Sequence, residues 1–172
     1  LRAKGVASAA KKASRAATEG LVYSYIHGGG RLGVLLEVNC ETDFVARGDD
    51  FQDFVKGVAM HIAASGPQWV REEDVPNDVL EREKAVFIQQ AIEAGKPQAI
   101  AEKMVTGKVQ KFLKENCLLD QSYVMDEDAT VGEMQTAFIA KCGENIRIRR
   151  FVRWTLGEGL AKKEDDFVAE VA

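Results

Sequence analysis

Hydrophobic and polar positions change period several times along the chain, and each change marks a boundary. Residues 1–19 hold Arg2, Lys4, Lys11, Lys12 and Arg15 among many alanines, a composition that favours helix. Two alternating segments come next, Leu21 to His27 and Arg31 to Asn39, separated by Gly28-Gly29-Gly30. Glycines between two such runs predict a hairpin turn. In the second run Val34, Leu36 and Val38 share one face, and Leu35, Glu37 and Asn39 share the other. By Asp49 the period is helical, with Phe51, Phe54, Val55, Val58 and Ile62 at spacings of three and four. Asp49 and Gln52 resemble the start of a capping box, and Ser65-Gly66-Pro67 ends the helix near Ala64.

Beyond it, Gln68 to Arg71 reads as a short edge strand and Glu72 to Pro76 as an acidic connection. A helix from about Asp78 to Ala94 carries Leu80, Phe87, Ala91 and Ile92; Gly95 closes it and Pro97 opens the next. The second helix has a stripe of Ala101, Met104, Val105, Val109, Phe112 and Leu113, which makes the pair a helical hairpin over about 78–116 with Met104 and Phe112 in its core. Asp126-Glu127-Asp128 lacks the spacing and glycine of a calcium loop and reads as solvated charge. Thr130 with Glu133 forms a capping box for a helix bearing Val131, Met134, Phe138 and Cys142, and Gly143 stands where a carboxyl-terminal cap belongs. In Ile146 to Leu156 the period returns to two. Ile146, Ile148, Val152, Trp154 and Leu156 are expected on one face, with Arg147, Arg149, Phe151 and Arg153 opposite and a bulge or buried pair at Arg150. The fold class is α+β.

Composition narrows the function classes. A net charge of −4 gives no global pull toward nucleic acid or an acidic membrane surface. Three cysteines, Cys40, Cys117 and Cys142, are far apart and without CxxC spacing, which suits free thiols in a reducing compartment. No apolar run approaches a membrane span and the first residues do not resemble a signal peptide. Leu1 in place of a methionine marks a fragment or a processed form. The glycine triplet precedes a strand rather than a helix, and Thr106-Gly107-Lys108 is in the wrong order within a helical pattern, so neither is a phosphate loop. His27 and His61 have no nucleophile at a motif spacing, which leaves Cys40 paired with a distant histidine as the weak case for catalysis.

The stretch that packing does not explain is Thr42-Asp43-Phe44-Val45-Ala46, between strand and helix. Thr42 can cap a short first turn with Asp43 and Phe44 at its exposed end. Spacing argues the other way, since Phe44 lies seven positions before Phe51 and would continue a buried stripe. The alternative is an anchor presented to a partner at a strand-to-helix corner. The basic arm and the arginine-rich late strand raise a further alternative, a ribosome- or RNA-associated domain, against solvated or carboxylate-paired faces.

Glu37-Val38-Asn39-Cys40-Glu41-Thr42-Asp43-Phe44-Val45-Ala46-Arg47 resembles a signature of the translation elongation factor Ts family. Ala140 to Phe151 is similar to that family's later signature, and Lys11 to Val22 to its connection between an amino-terminal helical module and the core. The resemblance implies a three-stranded antiparallel sheet packed with helices, a helical hairpin insertion and an amino-terminal helical arm. It divides the chain into a remnant of the helical module and linker (1–19), a dimerisation core (20–160) and a charged tail (161–172). The implied activity is guanine-nucleotide exchange on elongation factor Tu, without covalent chemistry, cofactor, metal, nucleic acid or membrane. Thr42, Asp43, Phe44, Val45, Cys142 and Gly143 are the implied partner contacts, with Phe44 wedged into the GTPase. The implied location is the bacterial cytoplasm, or a plastid stroma or mitochondrial matrix.

The sequence departs from the family in three respects. Most of the amino-terminal module is missing, and the family more often has an aliphatic residue where Cys142 stands. The core is the short single-sheet form, which implies a homodimer.

Overall fold

The computed structural model describes residues 2–161. Leu1 and all but the first residue of the expected 161–172 tail lie outside that range. Helix α1 (Arg2–Lys12) leads to strands β1 (Glu19–His27) and β2 (Leu32–Cys40). Gly28, Gly29 and Gly30 turn between them at φ of 59°, 67° and 90°, left-handed values that L side chains resist. β2 pairs antiparallel with β1 on one side and with β5 (Arg147–Thr155) on the other, so β2 is the centre of a three-stranded sheet.

The alternation fixes which face is covered. Val34, Leu36, Val38 and Cys40 point inward from β2, beside Leu21, Tyr23 and Tyr25 of β1. Helix α3 (Asp49–Ser65) lies on that face and contributes Phe51, Val55, Val58, Ala59 and Ile62 to the core. Full burial of one such aliphatic or aromatic side chain is worth about 1.5–3 kcal/mol, so this row accounts for much of the driving force. Gly66 ends α3 in the left-handed region, as the Ser65-Gly66-Pro67 run implies. The start differs from expectation. Gly48 is the N-cap, Asp49 already sits inside the first turn, and the Gln52 amide donates to Arg47 O rather than closing a capping box.

Helix α6 (Val131–Cys142) packs beside α3 through a stack of Phe54 on Phe138, centroids 4.9 Å apart, and opens with the Thr130/Glu133 capping box. The acidic run read as solvated charge lies in strand β4 (Asp126–Thr130), paired with β3 (Ser122–Tyr123). Its outward side chains stay solvated, so charge alone did not reveal the pairing. Helices α4 (Asn77–Glu93) and α5 (Gln98–Asn116) form a hairpin with a small core of their own, in which Val105, Val109 and Leu113 face Phe87 and Ile88. Met104 is 41% exposed and not core as expected, because a two-helix layer covers only one narrow side of each helix. Phe112 is partly buried there. The expected strand at 68–71 reduces to one bridge, Trp69 to Cys117; Gln68 and Trp69 N–H groups bond Asn116 O and strap the end of α5.

β5 carries the largest correction. Val38 pairs Ile148 while Glu37 pairs Arg150, leaving Arg149 as the surplus residue of a bulge. The extra residue reverses the facing of every later position in the strand. Phe151 packs against the core and Arg153 turns inward to donate to Ala63 O at 3.2–3.3 Å. Val152, Trp154 and Leu156, expected inside with Ile148, are exposed. The arginine and aromatic face considered for RNA is therefore split, and Arg149 and Arg150 both pair with Glu37.

Candidate functional site

β2 ends at Cys40, whose buried thiol donates to Thr42 O at 3.1 Å and holds the chain as it leaves the sheet. Thr42 then adopts extended backbone angles, and its hydroxyl accepts from the Val45 N–H at 3.3 Å, capping the four-residue helix α2 (Asp43–Ala46). Ala46 is buried and Val45 packs against the core, which pins one side of the turn. The other side faces water. Phe44 is 84% exposed, the highest value of any large hydrophobic side chain among the described residues. Asp43 forms an ion pair with Arg47 at 2.8 Å, and both groups are exposed.

The buried position that spacing favours for Phe44 is thus incorrect. The chain breaks at Gly48 between α2 and α3, so the seven-residue phase relating Phe44 to Phe51 does not run through one helix.

The second group of predicted contacts lies across a recess of about 500 Å³. Asp43, Phe44 and Val45 line one wall and Cys142 lines another, over a floor that includes Phe51 and Phe138. Thr42 and Gly143 do not line it. Gly143 instead caps α6 at φ 80°. Lys141 and Asp50 form an ion pair at 2.8 Å that ties α6 to the first turn of α3 beside it.

Nothing in the site resembles an activated nucleophile. Burial pushes the Cys40 thiol up to about 11, and burial likewise raises Cys142. His61, the other half of the weak catalytic reading, is fully buried, and both ring nitrogens are in use. Its Nε2–H donates to Gln121 Oε1 at 2.9 Å and its Nδ1 accepts from the Val124 N–H at 3.2 Å. Burial holds it in the neutral form. Among the described residues no group of three or more His, Cys, Asp or Glu side chains is placed to hold a metal ion, and no helix is long and apolar enough to cross a membrane.

Sequence reasoning assigned no role to Glu144, although it is the residue that secures the tip. Its Oε2 accepts from the Glu41 and Thr42 N–H groups at 3.0 and 3.1 Å, and its Oε1 accepts from the Thr42 hydroxyl at 2.6 Å. Glu41 answers by accepting from the Asn145 N–H at 2.7 Å. The two signatures thus clasp each other, a relation between residues 102 to 104 positions apart that no local pattern reveals.

Comparison with known proteins fits these two signatures. The family model described as Elongation factor TS matches residues 8–158, nearly the whole described chain. The chain belongs to the elongation factor Ts family. It is 62% identical over 172 residues to Elongation factor Ts of Geobacter metallireducens, covering 100% of this chain and 80% of that protein. It is 60% identical over its full length to Elongation factor Ts of Carboxydothermus hydrogenoformans, 79% of which is covered. For Elongation factor Ts of Heliobacterium modesticaldum the identity is 57% over 171 residues, 99% of this chain and 80% of that protein. As an elongation factor Ts family member the chain has the short core form, with one three-stranded sheet and a compact helical hairpin.

Proposed function

We propose that this protein is a guanine-nucleotide exchange factor for elongation factor Tu and acts through Asp43 and Phe44. The observation that carries the reading is a benzyl ring left 84% exposed on a corner whose other side is packed and capped. Leaving that ring in water forfeits about 1.5–3 kcal/mol that burial against a partner recovers. Phe44 inserts between helices of the GTPase, and Asp43 approaches the groups that hold Mg²⁺ and the phosphates, where the ion neutralises the diphosphate. Cys142 and Gly143, beside the same recess, contact the same domain. No bond is made or broken; binding the nucleotide-free state more tightly is sufficient. By linkage, the factor by which this protein weakens nucleotide binding is the factor by which nucleotide weakens its own, so entering GTP displaces it.

Release of labelled GDP from elongation factor Tu tests this, with the wild-type chain and Phe44→Ala. The variant is expected to lose most of the stimulation, as central interface anchors cost about 2 kcal/mol or more when truncated. Equal release rates contradict the mechanism.

We also infer a homodimer, supported by the uncovered face of the sheet. Val22 and Ile26 of β1, Leu35 of β2, and Val152 and Trp154 of β5 are exposed there, and the register aligns Leu35 with Val152 and Ile26 with Gly33 and Trp154. A contiguous apolar patch of this kind marks an interaction surface. Such a dimer presents two tips. A ribosome- or RNA-associated role has less support, because two arginines of its face are engaged, Arg149 by Glu37 and Arg153 by Ala63 O. Bacterial relatives favour the bacterial cytoplasm over an organelle as the place of action.

A further inference from the structure

We propose that Glu144 is a positioning residue for the tip, and that with Glu41 and Asn145 it couples the tip to the amino-terminal arm. The inference rests on the exchange reading above and adds a residue that acts through Thr42 and Glu41.

α2 has four residues, too few to hold its own direction, since a single helical turn costs more to nucleate than its hydrogen bonds return. Its only side-chain cap within the segment is the 3.3 Å bond from the Val45 N–H to Thr42 Oγ1. Glu144 supplies what is missing. One carboxylate takes two successive backbone N–H groups and the Thr42 hydroxyl. Because that hydroxyl donates to Glu144, its lone pair is turned toward Val45, so the outer bond strengthens the cap. Charge-assisted bonds of this type are about twice as strong as neutral ones. A tip fixed before encounter loses less conformational freedom on binding, which is how preorganisation raises productive association.

The same node reaches the arm. The Asn145 side-chain amide donates to Arg15 O at 2.8 Å, just past the end of α1, while Arg15 lies 3.5 Å from the Glu41 carboxylate. Asn145 is itself buried, and its N–H bonds Glu41. Three segments distant in sequence, around residues 15, 41 and 144, therefore meet directly behind Thr42. A change in how the arm sits is transmitted to the base of α2 through two hydrogen bonds.

The test combines labelled-GDP release from elongation factor Tu with amide hydrogen exchange, on the wild-type chain, Glu144→Ala and Phe44→Ala. For Glu144→Ala the exchange rate is expected to fall about tenfold or more as the competent tip becomes a minor conformer. Amides at 41–45 then lose protection while those in the middle of α3 keep theirs. A wild-type rate for Glu144→Ala beside a slowed Phe44→Ala overturns the proposal. So does protection lost equally through α3, which marks a general folding defect. Should Phe44→Ala exchange at the wild-type rate, the exchange reading fails on its own, and the amide pattern at 41–45 still decides whether Glu144 holds the tip.

Discussion

Arg150 Nε lies 2.7 Å from Glu37 Oε2 across the β2–β5 ladder, immediately beyond the bulge. Arg149 Nη1 reaches the other oxygen at 2.8 Å, so one carboxylate is held by two guanidinium groups. Together they bring the Glu37 carboxyl from its ordinary 4.5 down to about 2, with Arg149 the larger cause. A carboxyl depressed in the fold contributes stability above its unfolded value and loses it as pH falls through the folded one. Stability is thus expected to drop between about pH 4.5 and pH 2. His61 adds an earlier stage. Kept neutral by burial below its ordinary 6.5, it favours the unfolded state as soon as pH falls below that value. Denaturant midpoints measured from pH 8 to pH 2 are expected to show both stages, and Glu37→Gln is expected to flatten the lower one.

Phe44 and Phe51 are the same side chain in opposite surroundings, 84% and 1% exposed. Phe44→Ala is expected to leave the unfolding free energy within about 0.5 kcal/mol of wild type, as for surface changes in general. Phe51→Ala is expected to cost about 3–5 kcal/mol through loss of transfer energy and the cavity left behind. Urea unfolding of the two variants under one set of conditions checks the contrast.

A methyl group on Gly57, in the middle of α3, would run into the Tyr123 hydroxyl. Alanine improves helix propensity by about 1 kcal/mol, but overpacking costs about 1–3, so Gly57→Ala is expected to be destabilising overall. Tyr123→Phe removes the obstructing oxygen. The double variant is expected to be more stable than Gly57→Ala alone, a sign that thermal unfolding of the four proteins reads directly.

Trp154 is 74% exposed on the uncovered sheet face. Trp154→Arg is expected to leave folding intact and to weaken the proposed homodimer by about tenfold or more, the size of a lost interface anchor. Sedimentation equilibrium across a concentration series measures it.

What the sequence disclosed was whatever depends on neighbours in the chain. The alternation of β2 was legible because one face is buried and the other is not, and Thr42 and Thr130 announced their caps within three residues. Features set by distant partners were hidden. Spacing placed Phe44 in the core because it takes no account of the break at Gly48. The facing of Trp154 depends on how Glu37 and Val38 pair with β5, which local period does not register. Met104 looked like core because a stripe gives an arc of helix but not the width of what covers it. Glu144 stood within the later signature but its role had no local signal, since its partners lie 102 and 103 positions earlier.

The surplus residue in β5 also governs the molecule's exterior. Arg149 works as a phase shifter: were it taken into the ladder opposite Glu37 instead of being left over as a bulge, the inside and outside of the strand's second half would be exchanged. Val152 and Trp154 would be driven under the sheet, and Phe151 and Arg153 would be turned out to water. The share that β5 contributes to the outer sheet face is therefore set by the count of residues between two hydrogen bonds.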